Sequence, residues 1–243
     1  MKIKDQRRMY SDLVWTWPII SPKQDYISEV AEIRKQIEKH TRIKIKSLLH
    51  LGCGGGHLDY SFKKYYQVTG VDISKGMLGL ANKLNPETKY INGDMRTVRL
   101  KQTFDAVVIA DSISYMQTKK DLFAVFKTAF KHLKPGGVFY TYAEETKERF
   151  KQNHIHTTYH KQGNIEITLI ENYYDQDPKD TTYDADFIYL IRKNGKLKIE
   201  ADRHQMGIFS EKIWADLLQK SGFKAKQILF ELDKIPAFIG IKP

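Results

Sequence analysis

The chain has 243 residues, 41% of them hydrophobic and 12% aromatic, enough apolar material for one full α/β core and too much for a disordered tail. Its formal net charge is +11, but the excess is lysine scattered along the chain, as at Lys35, Lys39, Lys44 and Lys46. That pattern suits a solvated surface or an anionic small ligand better than a nucleic-acid track. No apolar run approaches the roughly 18 residues of a membrane span, and Met1–Asp12 is polar and basic without the apolar core of a secretory leader. The single cysteine, Cys53, excludes an internal disulfide and a cysteine-based zinc site, so a cytoplasmic protein without a bound metal is expected.

In chain order, apolar residues at Tyr26, Val30, Ile33 and Ile37 recur at helical spacing and predict an amphipathic helix over Gln24–His40. Ser47–Leu51 reads as the first strand, followed by a helix from Gly56 onward. Gln67–Asp72 is a second strand, with Ser74 as N-cap of a helix over Lys75–Leu84. Lys89–Asn92 is a short third strand. Phe104–Ala110 is a near-continuous apolar run, as a central parallel strand buried on both faces requires. A helix over Asp121–Leu133 leads through the turn Lys134–Gly137 to a strand over Val138–Tyr142. Alternation of this kind builds a parallel sheet with crossover helices.

From His156 to Phe209 the pattern changes to strands alone: Asn164–Tyr174, Asp184–Lys193 and Lys196–His204, the last two joined by the hairpin dipeptide Asn194-Gly195. This predicts an antiparallel layer inserted in the α/β domain. Ser210 then caps a helix to Lys220, and strands over Lys224–Leu232 and Ala237–Lys242 close the chain.

The glycine-rich run Leu48–His57 follows the first strand directly, and the carboxylate of Asp72 ends the second, about 20 residues on, where it can bind the hydroxyls of a ribose. The dinucleotide spacing Gly-x-Gly-x-x-Gly fails, because its third place falls on His57 or Asp59. A phosphate-binding loop fails too, for want of Gly-Lys-Ser/Thr. Gly-x-Gly-x-Gly at Gly52, Gly54 and Gly56 therefore suits a nucleoside without a pyrophosphate.

These stretches resemble the class I S-adenosylmethionine-dependent methyltransferases. The resemblance runs through Leu49–His57, Val68–Ser74, Asn92-Gly93-Asp94-Met95 and Leu133–Gly137. It implies a Rossmann-like α/β fold: a seven-stranded, mostly parallel sheet whose last strand is antiparallel, here with the inserted antiparallel β layer. It also implies S-adenosylmethionine as the cofactor. Gly52, Cys53, Gly54 and Gly56 would underlie its methionine part and Asp72 would hold the ribose. Ile73, Asp94 and Met95 would flank the adenine, Ala110 would offer a carbonyl to the amino group, and Met77 and Tyr10 would complete the site.

More finely, Ser11–Trp15, the β insertion and His204–Ser210 are similar to small-molecule N-methyltransferases, namely those that dimethylate nucleotide-linked amino sugars and the glycine/sarcosine type. Most of these have Tyr-Asp where this chain has Ser11-Asp12. The implied organisation is an N-terminal lid and helix (1–44), a cofactor-binding core (45–150), a substrate-side insertion (151–209) and a closing helix and strands (210–243).

An amine acceptor must be unprotonated to attack, and Tyr115, Asp111 and His204 are the candidates to deprotonate or orient it. Trp15, Tyr115, Tyr173 and His204 are the candidate acceptor contacts. Two absences narrow the acceptor. Ala110–Ile113 lacks the Asn/Asp-Pro-Pro-Tyr/Phe of base-amino methyltransferases, and no cysteine outside the glycine run could serve pyrimidine C5 chemistry. The expected partner is a small acceptor, anionic or nucleotide-linked, taken by a monomer or homodimer, with no membrane and with nucleic acid disfavoured. An RNA methyltransferase and a non-catalytic S-adenosylmethionine-binding protein are the alternatives.

Overall fold

Phe104–Ile109 (β4) and Ser47–Leu51 (β1) are buried along their whole length, as strands covered on both faces must be. In the computed structural model, which describes residues 7–243, they pair in parallel near the centre of a seven-stranded sheet. The first six residues of the expected N-terminal lid, Met1–Gln6, lie outside the described residues. The other strands are β2 (Gln67–Asp72), β3 (Lys89–Asn92), β5 (Leu133–Tyr142), β10 (Lys224–Phe230) and β11 (Ile235–Ile241), in the order β10-β11-β5-β4-β1-β2-β3. Only β11 runs antiparallel to its neighbours β5 and β10, so the closing strand reverses as expected.

Helices cover both faces. The apolar edge of α2 (Tyr26–His40), with Val30, Ile33 and Ile37, packs with Leu48, Phe62 and Tyr140. On the other face α5 (Lys119–His132) and α6 (Glu211–Lys220) bring Val125, Phe126, Trp214 and Leu218 against Val107 and Phe139. Local chemistry starts the helices where the sequence places them: the Ser74 hydroxyl accepts from Met77 N–H at the head of α4 (Lys75–Leu84), and Ser210 does the same for Ile213 at α6. The remaining helices are short, α1 (Trp17–Ile20) and α3 (His57–Phe62).

The inserted layer is a separate four-stranded antiparallel sheet, β6 (His154–Gln162), β7 (Ile165–Tyr174), β8 (Thr182–Lys193) and β9 (Lys196–Gly207). Asn194 and Gly195 both adopt positive φ (51° and 78°), the mirror-image turn that joins twisted strands with two residues. The inner face, with Ile167, Leu169, Tyr183 and Tyr189, packs on Met9, Leu13, Ile19 and Ile20 of the N-terminal segment.

Three details differ from the sequence reading. Strand β6 has no counterpart there: it is an edge strand exposed over most of its length, so no buried apolar face marks it. Helix α1, opened by Trp17-Pro18, is too short to show a period. Strand β5 begins at Leu133 and runs through the Lys134–Gly137 turn, where Gly136 takes φ +77°.

The layer is seated on the loop after β4. Gln117 Nε2 donates to Gln205 O at 2.8 Å, and Thr181 Oγ1 donates to Gln117 O at 2.7 Å. At Gly207 the chains approach so closely that a Cβ would lie 1.9 Å from the Met116 carbonyl oxygen. Gly207→Ala is therefore expected to cost about 1–3 kcal/mol through overpacking against backbone. Gly79→Ala, at an exposed position of α4 with open space around its Cβ, should stabilise by about 0.5–1 kcal/mol. Thermal unfolding of the two variants checks the opposite signs.

Asp105 of β4 ties the sheet together at its other end. Its carboxylate accepts Lys46 N–H and Ser47 N–H, both at 2.9 Å, and the Lys134 ammonium at 2.7 Å. Burial alone would raise its pKa, but the Lys134 ammonium and the two amides outweigh that and hold it down at about 2. A carboxylate depressed in the folded state adds stability above its unfolded value and loses it as pH falls through the folded one. On the order of 2 kcal/mol should thus disappear between about pH 4 and pH 2. Urea unfolding across that range should show this loss in the unaltered protein and a flatter profile in Asp105→Asn.

Candidate active site

Strand β1 runs into Gly52, which takes φ +72° at the point where the chain leaves the sheet; a Cβ there would lie 2.0 Å from Ser112 Oγ. Gly54 also has positive φ (+52°), but its missing Cβ faces open space, with nothing within 4 Å. That space belongs to a cavity of about 300 Å³ at the carboxyl ends of β1, β2, β3 and β4, where ligands of open α/β sheets bind.

Asp72 stands at its wall. One carboxylate oxygen accepts Gly54 N–H at 2.8 Å and the other accepts Ser74 N–H at 2.7 Å. Burial pushes its pKa up, and those two amides oppose the shift by stabilising the charged form. Along the wall Asp94 is gripped by Arg96, whose Nη2 lies 2.6 Å from the carboxylate and whose Nη1 reaches Asp121 at 2.9 Å. Burial works to raise the Asp94 pKa, yet Arg96 leaves it below the usual carboxylate value.

Side chains lining this space also carry polar atoms without partners among the described residues. His50 is 1% exposed; its Nδ1 bonds Asp59 Oδ1 at 2.7 Å, Tyr90 OH donates to the other Asp59 oxygen, and Nε2 has no partner among the described residues. Trp17 Nε1, beside Gly55, and His57 Nδ1 are likewise buried and without a partner among the described residues. All three side chains line the cavity. Buried polar groups left unpaired cost about 1–3 kcal/mol each, so such a cluster fits a polar ligand that supplies the missing bonds.

At the back of the cavity the Tyr142 hydroxyl stands between Asp111 and Glu29, the latter at 2.9 Å. One hydroxyl hydrogen serves only one carboxylate. Burial and then the Asp111 charge accordingly push Glu29 up to about 8.

The opposite wall carries a chain of hydrogen bonds. Tyr10 OH meets Tyr115 OH at 2.7 Å, Tyr115 OH meets His204 Nδ1 at 2.6 Å, and His204 Nε2 meets Asp202 Oδ2 at 2.7 Å. The N-terminal segment closes over this wall: Met9 N–H donates to Asp202, Arg8 pairs with Glu200, and Ser74 Oγ donates to Tyr10 O.

Most residues singled out from the sequence meet around the one cavity: Tyr10, Gly52, Cys53, Gly54, Asp72, Ile73, Met77, Asp94, Met95, Ala110, Asp111 and Tyr115 line it. Four do not. Gly56 lies under Tyr90 OH and Asn85, where it admits close packing of α3, and Gly55 lines the cavity in its place. Trp15 is 43% exposed on the surface, and Trp17 is the tryptophan that faces inward. Tyr173 packs on Tyr183 in the β layer and donates to Glu171. His204 is fully buried behind Tyr115 and reaches the cavity only through it. The Ala110 carbonyl already accepts Ile113 N–H at 3.2 Å, leaving one lone-pair direction.

Sequence reasoning missed His50, Asp59, Glu29 and Asp202. A histidine inside the apolar run Leu48–Leu51 was a signal for the first. Asp202 and His204 two apart on one strand face was a signal for the last. Among the described residues no His/Cys/Asp/Glu cluster has the arrangement of a metal site, and no helix is long and apolar enough to cross a membrane.

Comparison with known proteins follows the same cavity. The dTDP-3-amino-3,4,6-trideoxy-alpha-D-glucopyranose N,N-dimethyltransferase of Streptomyces venezuelae is 36% identical over 117 residues, 47% of this chain; the match spans about half of that protein, 49%. Among solved structures, Streptomyces venezuelae DesVI superposes with a TM-score of 0.85 at 22% identity, over 99% of this chain and 100% of that one. S-adenosylmethionine-bound CalS10, an amino pentose methyltransferase from Micromonospora echinaspora, gives 0.82 at 19% identity, over 100% and 99%. These two likenesses show a shared fold from end to end. Residues 48–137, the stretch that forms much of the floor and walls of the cavity, match the family model described as a methyltransferase domain.

Proposed function

We propose that the protein transfers a methyl group from S-adenosylmethionine to the amine nitrogen of a small-molecule acceptor. The observation that carries this reading is the Asp72 carboxylate, held by Gly54 N–H and Ser74 N–H beside the open space over Gly54. A nucleoside ribose fits a fixed carboxylate of this kind, and the positive-φ backbone leaves room for a chain attached at its 5′ side. Asp94 and Met95 would face the adenine. Gly52, Gly54, Gly55 and the unpaired atoms of His50, Trp17 and His57 would take the amino-acid end. Bound S-adenosylmethionine supplies a methyl group already activated by its sulfonium.

The chain's own work is then to orient the acceptor in line and keep water out, which accounts for on the order of 7–11 kcal/mol of barrier in well-aligned reactions. Tyr10 and Tyr115 form the wall on which an acceptor would rest, with the Arg7 guanidinium 4.7 Å from the Tyr115 ring centre. The relatives named as dTDP-amino-sugar N,N-dimethyltransferases support an amino sugar as acceptor, and Arg7 supports one that carries an anionic handle. Cytoplasmic action is part of this reading, supported by the free, buried Cys53.

Isothermal titration should show binding of S-adenosylmethionine and its demethylated product. Asp72→Asn should weaken both by about 10- to 100-fold, the worth of a hydrogen bond to a charged group. Labelled methyl transfer should then be seen to amines in a panel of amino sugars, amines, carboxylates and RNA. Binding without transfer to any of them would instead show a non-catalytic protein, and transfer to RNA alone would overturn the small-molecule acceptor.

A further inference from the structure

Every methyl transfer to an amine begins by freeing a lone pair, and the cavity wall holds an arrangement able to take the proton. Resting on the amine reading above, we infer that Tyr10, Tyr115, His204 and Asp202 form a proton relay that carries the acceptor's ammonium proton into a buried His204–Asp202 pair.

The direction of each bond follows from what the groups can donate. Asp202 Oδ2 receives Met9 N–H at 2.7 Å, and an ionised carboxylate only accepts. His204 Nε2, 2.7 Å from the same oxygen, must then carry the ring hydrogen, which leaves Nδ1 with a lone pair. Tyr115 donates its hydroxyl hydrogen to Nδ1 at 2.6 Å, and Tyr10 donates to the Tyr115 oxygen at 2.7 Å. Each donor thus points inward, and the Tyr10 oxygen, on the cavity wall, keeps its lone pairs for an incoming donor.

The transfer balances atom by atom. The ammonium N–H bond breaks and its electron pair stays on nitrogen. The proton joins the Tyr10 oxygen, the Tyr10 hydrogen moves to Tyr115, and the Tyr115 hydrogen moves to His204 Nδ1. An imidazolium results, held against the Asp202 carboxylate. The amine lone pair is then free to displace the sulfonium methyl, whose C–S electron pair stays on sulfur, and once the methylammonium product has left, His204 releases its proton back along the same chain to water in the opened cavity. A second methylation on the same nitrogen repeats the sequence.

The surroundings favour conduction through the hydroxyls over storage on them. Burial raises the pKa of Tyr10 and Tyr115, so neither holds a phenolate. Burial also acts to raise Asp202, but its bonds to His204 and the backbone amides reverse the shift, and it stays charged. The charged groups around the chain are Arg7 and Arg8 of the N-terminal segment and, across the cavity, Asp72 and Asp111. Tyr183 and Tyr189 of β8, Glu171 of β7 and Glu200, paired with Arg8, are further titratable neighbours, and Phe187 packs on the His204 ring at 4.8 Å. Asp202 Oδ1 is buried without a partner among the described residues, so the carboxylate's interactions centre on Oδ2.

Two measurements test the relay. The first needs no acceptor: nitrogen NMR of histidine-labelled protein should show neutral His204 as the Nε2–H tautomer, and an Nδ1–H tautomer would overturn the proposal. The second is the pH profile of kcat/KM. His204→Gln keeps an amide donor toward Asp202 and an acceptor toward Tyr115 but takes no proton, and Tyr115→Phe keeps the ring while cutting the chain. Both should lose about 10²- to 10³-fold at pH 7, with the loss shrinking as pH rises and free amine becomes available in solution. S-adenosylmethionine binding should stay within twofold in both. Variants that turn over with a profile parallel to that of the unaltered protein would overturn the relay alone. Failure of the unaltered protein on every amine would overturn the amine reading and the relay with it.

Discussion

Two backbone N–H groups, from Gly54 and Ser74, converge on the carboxylate of Asp72, one on each oxygen. The site hangs on this pairing, because it joins three elements that the sheet alone would leave independent. Gly54 belongs to the loop leaving β1, Asp72 is the last residue of β2, and Ser74 caps α4. The bond to Gly54 exists only because the loop turns through positive φ at Gly52 and Gly54, a conformation that L side chains rarely take. The bond to Ser74 places the carboxylate at a helix N-terminus, where the backbone dipole favours negative charge. The result is a carboxylate held rigidly, with acceptor capacity left toward the cavity.

Around that fixed point the cavity is polar in a directional way. Its lining includes His50, Trp17 and His57, each with a buried ring nitrogen that has no partner among the described residues. The back holds Asp111 and Glu29 around one Tyr142 hydroxyl, and the front is a wall of linked hydroxyls. A ligand with an ionic amino-acid end, a ribose and a flat base meets a separate chemistry at each part. This is the matching expected when binding energy goes to holding a reactive methyl in one orientation.

Much of this was legible in the sequence, for a physical reason. Glycine at positive φ, a hydroxyl at a helix start and Asn-Gly in a two-residue hairpin are local requirements, so they leave local traces at Gly52, Ser74, Ser210 and Asn194-Gly195. A strand buried on both faces leaves one too, in the unbroken apolar run of β4. What the sequence hid is built from distant partners. Tyr115 and His204 are 89 positions apart, and Tyr10 and Tyr115 are 105 apart. No spacing rule joins them; the seating of the inserted layer on the β4 loop and the closing of the N-terminal segment over it do. The exposed edge strand β6 and the four-residue α1 left no periodic signal for a different reason: one buries little and the other is too short. Gly56 shows the limit of motif reading from the other side, since its role is to let Tyr90 and Asn85 close over α3, and the neighbouring Gly55 meets the cavity.

Asp202 gives the inserted layer a second purpose beyond walling the site. A carboxylate this deep is costly unless its charge is met, and among its partners are groups from two different elements: the His204 ring on β9 and Met9 N–H on the N-terminal segment. Arg8 strengthens the same junction by pairing with Glu200 and donating to Ala201 O. The segment that closes over the cavity therefore also completes the hydrogen bonding that keeps Asp202 ionised and His204 in the tautomer that accepts from Tyr115. In the proposed relay, covering the site and readying its base are one event, because a single carboxylate oxygen serves both.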